Sequence, residues 1–332
     1  MIIKQAILQT EIKAVELFLK GFDLNYRQDA DYTAYVEENG EVIGTVSLVK
    51  NLIVCLAVST NYQGENLSAT LISHAIAKLR EEKIYGYRVF TKPIYLNQFL
   101  SLGFNLLVKT DDFIALEGGE SNVYKTIDNL KTKITMDFGG FDGDYGAIVM
   151  NANPFTNGHL YLVEHALKFH EKVLLFILEE DGQAFSFKER FSMAFLATRP
   201  YYDRVSVLPS TEYIVSKSTF PDYFIHGVNA QTLAHAEYDA TLFRDYFMKN
   251  LKISKRYLGS EEKDYMALYN STVKKVLNNN AEIVSRLEYQ NKPVSAERVR
   301  ELLKNGETEK ALSYIPNSTK AVFNMIIGSK KW

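Results

Sequence analysis

The sequence predicts an α/β protein of two domains, the second built on a Rossmann-like parallel sheet, and three observations support this prediction. First, 332 residues exceed what one hydrophobic core usually accommodates. Second, three glycines and two aspartates interrupt the periodic pattern between Phe138 and Asp144. Third, short apolar runs alternate with helical stretches after this interruption, which is the pattern of a parallel sheet. We therefore expect domains at residues 1–138 and 139–332.

The first domain is predicted to contain a sheet and one long helix. Alternating apolar residues predict strands over 33–36 and 42–48, joined by a turn around Asn39 and Gly40. An apolar run predicts a third strand over 53–58. The helix that follows is predicted from apolar residues at helical spacing, which are Leu67, Leu71, Ile72, Ala75, Ile76 and Leu79. A further strand is expected over 87–90, before an apolar segment at 99–104.

The order of these elements resembles that of the GNAT acetyltransferases. In that family a Q/R-x-x-G-x-G/A turn presents backbone amides to the pyrophosphate of coenzyme A, and residues 63–68 match this turn. Asn66 stands where the family has glycine, and Glu65 adds a negative charge that repels pyrophosphate. The resemblance leaves two interpretations open. The domain either keeps the fold without transferring acetyl groups, or it docks a coenzyme A-like prosthetic group.

The second domain opens with a strand, a turn and a helix that together suit a phosphate. Residues 146–150 form an apolar run typical of a buried strand, and Pro154 and Gly158 mark the turn. The helix is predicted from the spacing of Leu160, Leu162, Val163, Ala166 and Leu167. The first backbone N–H groups of a helix are unpaired and carry partial positive charge, which favours a polyphosphate. Further strands are predicted at 172–178, 204–208 and 256–258.

The turn from Thr156 to His159 resembles the H/T-x-G-H signature of nucleotidyltransferases. The resemblance implies that both residues are catalytic, with His159 holding triphosphate oxygens while an α-phosphate is attacked. A second superfamily motif, I-S-x-x-x-x-R, matches residues 294–300 and implies that Arg300 is catalytic. Arginine suits this role because it can hold a phosphate through two parallel bonds. Nucleotide-binding residues are expected at Asn153, Pro154, Phe155, Gly158, Ser295 and Arg298.

Four landmarks together resemble the citrate lyase ligase family, and this resemblance covers nearly the whole chain. They are residues 153–159, 187–190, 213–224 and 256–261. The resemblance implies an enzyme that uses ATP and Mg²⁺ to activate acetate as acetyl-AMP, with release of pyrophosphate. The acetyl group then passes to the thiol of the coenzyme A-derived prosthetic group on the acyl carrier subunit of citrate lyase. Arg190 matches the F-x-x-R landmark of that family and is expected to contact the nucleotide.

Two other functions remain open from the residues themselves. The chain has features of an adenylyltransferase acting on a phosphate-ester metabolite, and its first domain has features of a non-catalytic acetyl-coenzyme A-binding protein. One departure from the second phosphate motif bears on all of them. Glu297 occupies a slot where the broader motif has serine or threonine, and its charge repels phosphate unless the side chain turns away or pairs with Arg298.

Composition narrows the class of protein further. The chain has 38 basic and 40 acidic side chains, a net charge of −2, which argues against broad binding of nucleic acid. The single cysteine, Cys55, cannot form an intrachain disulfide. The histidines lack the spacing of zinc ligands, so no metal site built from protein side chains is expected. No apolar run approaches the roughly 20 residues that span a bilayer, and no signal peptide is evident, so we expect a cytoplasmic protein without membrane contact.

Overall fold

The computed structural model describes residues 1–64, 66–180, 182–216, 219–261, 263–290, 292–330 and 332. Glu65 of the GNAT-like turn, and Lys217 and Ser218 of the 213–224 landmark, lie outside the described residues. The chain divides into two compact units, the first comprising Met1–Asn122 and Pro221–Ala234, the second Val123–Phe220 and His235–Trp332. None of the described helices combines the length and apolarity that crossing a membrane requires.

The first unit contains a seven-stranded sheet with the order β1-β2-β3-β4-β5-β7-β6. Its elements are β1 Ile3–Gln5, α1 Gln9–Lys20, β2 Tyr32–Glu38, β3 Glu41–Val49, β4 Leu52–Val58, α2 Leu67–Glu81, β5 Gly86–Thr91, α3 Leu96–Ser101, β6 Asn105–Lys109 and β7 Ile114–Gly119. Only β4 and β5 pair in parallel, and the other neighbours are antiparallel. The four predicted strands and the predicted helix are confirmed, with slightly wider bounds.

Local sequence explains why the first hairpin forms where it does. Asn39 and Gly40 both have positive φ, at 51° and 82°. Asparagine and glycine tolerate this left-handed conformation, and two such residues give a tight turn whose twist matches the strands it joins. On one face of the sheet, α2 buries Leu67, Leu71 and Leu79 in a shared apolar core. The sheet and this helix therefore form one packed layer pair.

The second unit contains a five-stranded sheet with the order β10-β9-β8-β11-β12, and every neighbouring pair is parallel. Its elements are α4 Val123–Phe138, β8 Tyr145–Met150, α5 Asn157–Ala166, β9 Lys172–Ile177, α6 Phe187–Thr198, β10 Val205–Pro209, α8 Lys249–Leu251, β11 Ile253–Gly259, α9 Asp264–Leu277, β12 Ala281–Val284, β13 Glu288–Tyr289, β14 Lys292–Pro293, α10 Ala296–Lys304, α11 Thr308–Leu312 and α12 Lys320–Gly328. Helix α7, Val228–Leu242, is divided between the units, with its residues up to Ala234 in the first and those from His235 in the second. The predicted parallel sheet is confirmed. Because β8 lies at its centre, the turn after β8 emerges beside the carboxyl ends of β9 and β11, which is where parallel sheets bind ligands.

Helix α4 precedes the glycine-rich stretch but belongs to the second unit. It buries Val123, Ile127, Leu130 and Ile134, and Asp137 near its end accepts a hydrogen bond of 2.5 Å from the Ser206 hydroxyl of β10. The compact units therefore divide before α4, whereas the glycine-rich stretch predicts a boundary after it. The two boundaries differ because the apolar face of a helix predicts that the helix packs against a sheet, but it does not indicate which sheet. The domain boundary at 138/139 stays a prediction.

Candidate active site

The turn between β8 and α5 has an unusual backbone that the surrounding loop holds in place. Ala152 has a φ of 52°, and the Asn153–Pro154 peptide bond is cis. The buried Asn153 side chain accepts a hydrogen bond of 3.0 Å from the Phe185 backbone N–H and donates one of 2.5 Å to Gln183. Its amide therefore links the turn after β8 to the loop after β9. Asn153 and Pro154, two expected nucleotide-binding residues, shape the turn itself.

His159 is fixed by the residue that caps its helix. Its Nδ1 accepts a hydrogen bond of 2.9 Å from the Thr156 backbone N–H and lies 3.0 Å from the Thr156 hydroxyl. Since Nδ1 accepts from an N–H, the proton of the neutral ring is on Nε2. Burial, together with the positive charge of Arg286, lowers the pKa of His159 to about 4. At neutral pH the ring is therefore an uncharged donor, and Phe155 packs beside it with ring centres 5.4 Å apart.

The start of α5 is also held by the C-terminal part of the chain. The Asn157 backbone N–H donates to the Tyr314 carbonyl over 2.8 Å, and its side-chain amide donates to the Ser313 carbonyl over 3.1 Å. These bonds satisfy one of the amides that a helix start leaves unpaired. Asn157 thus ties the start of α5 to residues 313–314, whereas Asn153 ties the turn to the loop after β9.

Gly158 allows the two sequence motifs to approach each other. A Cβ placed on Gly158 would lie 2.9 Å from the Val294 carbonyl oxygen, closer than real Cβ atoms come to backbone. Val294 begins the second motif and directly precedes Ser295, which caps α10 by accepting a hydrogen bond of 3.1 Å from the Arg298 backbone N–H. The sequence predicts Gly158 as the place where phosphate approaches. The structure gives it a further role, because the backbone of the second motif packs against it.

Arg300 joins the second motif to the first. Its Nη1 donates a hydrogen bond to the carbonyl of Asn153, the residue before the cis proline. Burial lowers the pKa of Arg300, but a guanidinium starts so high that it stays charged at neutral pH. The structure therefore brings Thr156, His159 and Arg300, the three residues expected to be catalytic, to one edge of the sheet.

The side chain of Arg298 is engaged on its own side of α10. Its Nη1 donates to Glu301 over 3.3 Å, while its backbone N–H completes the Ser295 cap. Glu297, the departure from the broader motif, forms an ion pair of 2.8 Å with Lys263. Of the two alternatives, turning away or pairing with Arg298, the structure, which describes both side chains, shows no pairing with Arg298; Lys263 instead neutralises the Glu297 carboxylate beside the second motif.

Arg190 lies beneath the site and has no exposed surface. Its guanidinium donates to four backbone carbonyls, at 3.1 Å to Phe185, 2.7 Å to Asn151, 2.8 Å to Leu178 and 3.0 Å to Glu180. Since the side chain has no exposed surface, these hydrogen bonds are with backbone, and the expected nucleotide contact stays a prediction. Arg190 ties the chain leaving β8 to the chain leaving β9.

Arg286 belongs to the site but was not found from the sequence. It follows β12, a short strand that the apolar pattern did not predict. Its Nε donates to the Ser260 carbonyl over 2.6 Å, and it forms an ion pair with Glu261. Burial raises the pKa of Glu261 despite the attraction of Arg286. Positions after strands of a parallel sheet line ligand sites, but β12 is too short to be predicted from the apolar pattern, so this signal could not be used.

A basic cavity opens beside Arg300. Its volume is about 270 Å³, and its lining includes Ala184, Arg300, Lys304, Lys330 and Trp332. Lys330 also donates to the Ala184 carbonyl over 2.7 Å and pairs with Glu189. Because Glu189 neutralises the charge of Lys330, Arg300 and Lys304 supply the remaining positive charge on the cavity wall. The cavity suits an anionic group of the size of a phosphate chain.

No cluster of three or more histidine, cysteine, aspartate or glutamate side chains that could hold a metal occurs among the described residues. A magnesium ion in a nucleotide site is commonly held by substrate phosphates, water and one or two carboxylates rather than by a protein cage. His159, Arg300 and Arg286 offer no oxygen ligand, so a magnesium ion at this site would be held by oxygens of a polyphosphate substrate and by water. What the arrangement offers is a neutral histidine donor, a cis-proline turn and two arginines around one sheet edge.

Two family models match the chain. Residues 145–323 match the citrate lyase ligase C-terminal domain, and residues 7–98 match the acetyltransferase (GNAT) family. A [citrate [pro-3S]-lyase] ligase of Escherichia coli K12 is 30% identical over 312 residues, which cover 91% of this chain and 87% of the relative. The corresponding ligase of Klebsiella pneumoniae is 29% identical over 315 residues, which cover 92% and 91%.

Solved structures resemble separate parts of the chain. A bifunctional NMN adenylyltransferase/ADP ribose pyrophosphatase of Francisella tularensis, complexed with AMP and a manganese ion, is 19% identical with a TM-score of 0.35. It covers 56% of this chain and 49% of its own. The ribosomal-protein-S18-alanine N-acetyltransferase of Escherichia coli is 18% identical with a TM-score of 0.30, and it covers 36% of this chain and 94% of its own.

Proposed function

The chain belongs to the citrate lyase ligase family, and from this premise we propose that it activates acetate with ATP and passes the acetyl group to the acyl carrier subunit of citrate lyase. The contact that carries the proposal is the hydrogen bond from Arg300 to the Asn153 carbonyl, because it joins the two phosphate motifs into one site. The acceptor is the thiol of the coenzyme A-derived prosthetic group on that subunit. A cytoplasmic location is part of the proposal, since the reaction consumes ATP.

The first step forms acetyl-AMP. A carboxylate oxygen of acetate attacks the α-phosphorus of ATP, the bond to the β-phosphate breaks, and pyrophosphate leaves with the electron pair. Acetate is already a nucleophile at neutral pH, so the step needs no general base. Negative charge grows on the phosphoryl and pyrophosphate oxygens, and groups that stabilise it there lower the barrier. A magnesium ion, when bound with ATP, would supply further charge neutralisation there.

His159 and Thr156 act together in this step. The bond from the Thr156 N–H to Nδ1 leaves the His159 Nε2–H as the donor for a phosphate oxygen. With a pKa of about 4 the ring is uncharged at neutral pH, and its single N–H, on Nε2, is the one that donates. We assign Thr156 the role of fixing this orientation through its backbone and hydroxyl.

The arginines act on the departing charge. Arg300 lies at the mouth of the basic cavity with Lys304 one helical turn further along α10. We assign the β- and γ-phosphates of ATP to this side of the site. Arg286, whose positive charge reaches His159, is assigned to the same transition state. Removal of a single such charge-stabilising contact typically costs about 10²- to 10³-fold in rate.

The other residues shape the site. Asn153, Pro154, Phe155 and Gly158 are proposed to set the turn that the phosphates approach, and Ser295 caps the helix that carries Arg300. Arg298 is proposed to reach phosphate only after it releases Glu301. Arg190 is a positioning residue. In the second step the prosthetic-group thiol attacks the acetyl carbon of acetyl-AMP, forming the thioester and releasing AMP and a proton.

Pyrophosphate exchange tests the proposal. Wild-type protein with magnesium should exchange labelled pyrophosphate into ATP only when acetate is present. His159→Ala should lose about 10²-fold or more of this exchange while its circular dichroism stays native. His165→Ala is the matched control, because His165 lies on the same helix but pairs with Glu282. Exchange driven by a phosphate ester and not by acetate would instead establish the adenylyltransferase function.

A further inference from the structure

The two parallel strands of the first unit separate soon after they begin to pair. β4 and β5 share only two residue pairs, Leu52 with Arg88 and Ile53 with Val89. Beyond them β4 continues to Val58 and β5 to Thr91. We call the gap between residues 54–58 and 90–91 the β4–β5 cleft. A cleft between diverging parallel strands exposes backbone donors and acceptors, which a ligand normally satisfies in such a crevice.

The β4–β5 cleft is filled by a side chain from far along the sequence. The hydroxyl of the buried Tyr223 donates a hydrogen bond of 3.0 Å to the Phe90 carbonyl of β5. The Cys55 backbone of β4 is close enough to this hydroxyl to favour its ionised form. Cys55 sits at a bulge in β4 and has a φ of 53°. One phenol hydroxyl therefore bridges the two strands at the rung that follows their last residue pair.

The segment around Tyr223 is fixed at both ends. The Asn25 backbone N–H donates to the Tyr223 carbonyl over 2.8 Å. His226 lies 3.0 Å from the Asp23 carbonyl and 3.1 Å from its carboxylate. The Cys55 thiol in turn donates to the Asn25 carbonyl over 3.6 Å. These contacts make residues 221–226 an integral part of the first unit rather than a surface loop.

We propose that the first unit is not an acyl-coenzyme A site and that its β4–β5 cleft instead anchors residues 221–226 through Tyr223. An acyl thioester inserted along β4 would need the Cys55 amide and the space that the phenol ring fills. The turn after β4 keeps the left-handed residue that its sequence suggests, since Asn66 has a φ of 58°. The left-handed Asn66 is kept while the cleft is filled, which is what we expect of an inherited fold that no longer binds the cofactor. The anchored segment continues directly from residues 213–220, one of the family landmarks.

The single cysteine of the chain provides a reporter for this anchor. Cys55 is fully buried, and burial raises its pKa to about 11, so thiol reagents should label it slowly. Tyr223→Ala should raise the labelling rate under native conditions about tenfold or more relative to Tyr32→Ala. Tyr32 is the matched control, a buried tyrosine of the same unit whose hydroxyl bonds His74 over 2.8 Å. Equal labelling rates in the two variants would overturn the anchor.

Calorimetry with acetyl-coenzyme A tests the other half of the proposal. Wild-type protein should show no binding heat, and a micromolar Kd would overturn the claim that the cleft is closed.

If Tyr223→Ala fails to fold, Tyr223→Phe keeps the ring and removes only the bridging hydroxyl. Its Cys55 amide should then exchange with deuterium faster than in Tyr32→Phe, and unchanged exchange would count against the bridge. None of these readouts depends on adenylation, so they stand apart from the proposed function.

Discussion

At the residue scale, the site sets the protonation state of its histidine before any substrate binds. The Thr156 N–H occupies Nδ1, and burial, together with the positive charge of Arg286, opposes a second proton. A doubly protonated ring would have to give up the capping bond, because both of its nitrogens would be donors. His159 is thus kept as a neutral donor across the whole physiological range. The lowered pKa also makes protein stability depend on pH.

The free energy of unfolding should therefore fall in mild acid. The folded pKa of about 4 lies below the ordinary value of 6.5, so the unfolded chain binds more protons between these pH values. The stabilisation is complete above pH 6.5 and is lost as pH falls towards 4, by up to about 3 kcal/mol. Denaturant titrations of wild type and His159→Asn at several pH values measure the difference. A His159 ring that titrates near 6.5 by NMR would contradict this expectation.

Residue types and spacing predicted much of the site but not its contacts. Thr156, His159 and Arg300 could be named because two short motifs carry them. Their joining through the Asn153 carbonyl could not, since backbone acceptors leave no trace in a sequence pattern. For Arg190 the residue was predicted but its contacts were not. The F-x-x-R landmark is the same whether its arginine binds phosphate or four backbone carbonyls. Arg286 was missed because the strand before it has only four residues.

At the element scale, α5 approaches the segment before α10 closely because Gly158 has no side chain. Gly158→Ala should push the Val294 backbone away, since the added Cβ would lie 2.9 Å from its carbonyl oxygen. We expect a stability loss of about 1–3 kcal/mol and a raised KM for ATP. Gly328→Ala is the matched control, because a Cβ there meets nothing within 4 Å. Steady-state kinetics with normal ATP affinity in Gly158→Ala would refute the close-packing role.

Arg190 should matter for stability more than for direct binding. Arg190→Met leaves four backbone carbonyls at the ends of β8 and β9 without their donor, and we expect a loss of roughly 3–5 kcal/mol. Lys188→Met, an exposed change on the same helix, should be nearly neutral. Chemical denaturation compares the two. An Arg190→Met protein of full stability that fails to bind ATP would restore the direct-contact interpretation.

The elements themselves followed from periodicity where they were long. Strands β2, β3, β4 and β5 and helix α2 have regular apolar patterns and were predicted. Strand β12 and the pair β13 and β14 are too short to show a period. Their placement depends on pairing with residues distant in sequence, which no local pattern contains. The positive φ values of Ala152 and Cys55 were likewise not predicted from any local pattern.

At the scale of the whole molecule, the position of α4 can be tested by truncation. A fragment of residues 139–332 lacks the four buried side chains of α4, each worth about 1.5–3 kcal/mol. That loss is comparable with the total stability of a typical domain. We expect a fragment of residues 123–332 to unfold cooperatively and the shorter one not to, as followed by circular dichroism during heating. Equal melting temperatures would place α4 with the first domain after all.

The interleaving of the two units constrains how the protein can be made. The first unit includes residues 221–234, and the Tyr223 hydroxyl supplies a rung between β4 and β5. A ribosome delivers these residues only after β8, β9 and β10 of the second unit have emerged. The amino-terminal unit therefore cannot complete its fold first, although domains usually fold in the order of synthesis. Until residue 234 has been synthesised, the edges of the diverging strands β4 and β5 remain unpaired. A chaperone that binds nascent chains could cover these edges during that interval.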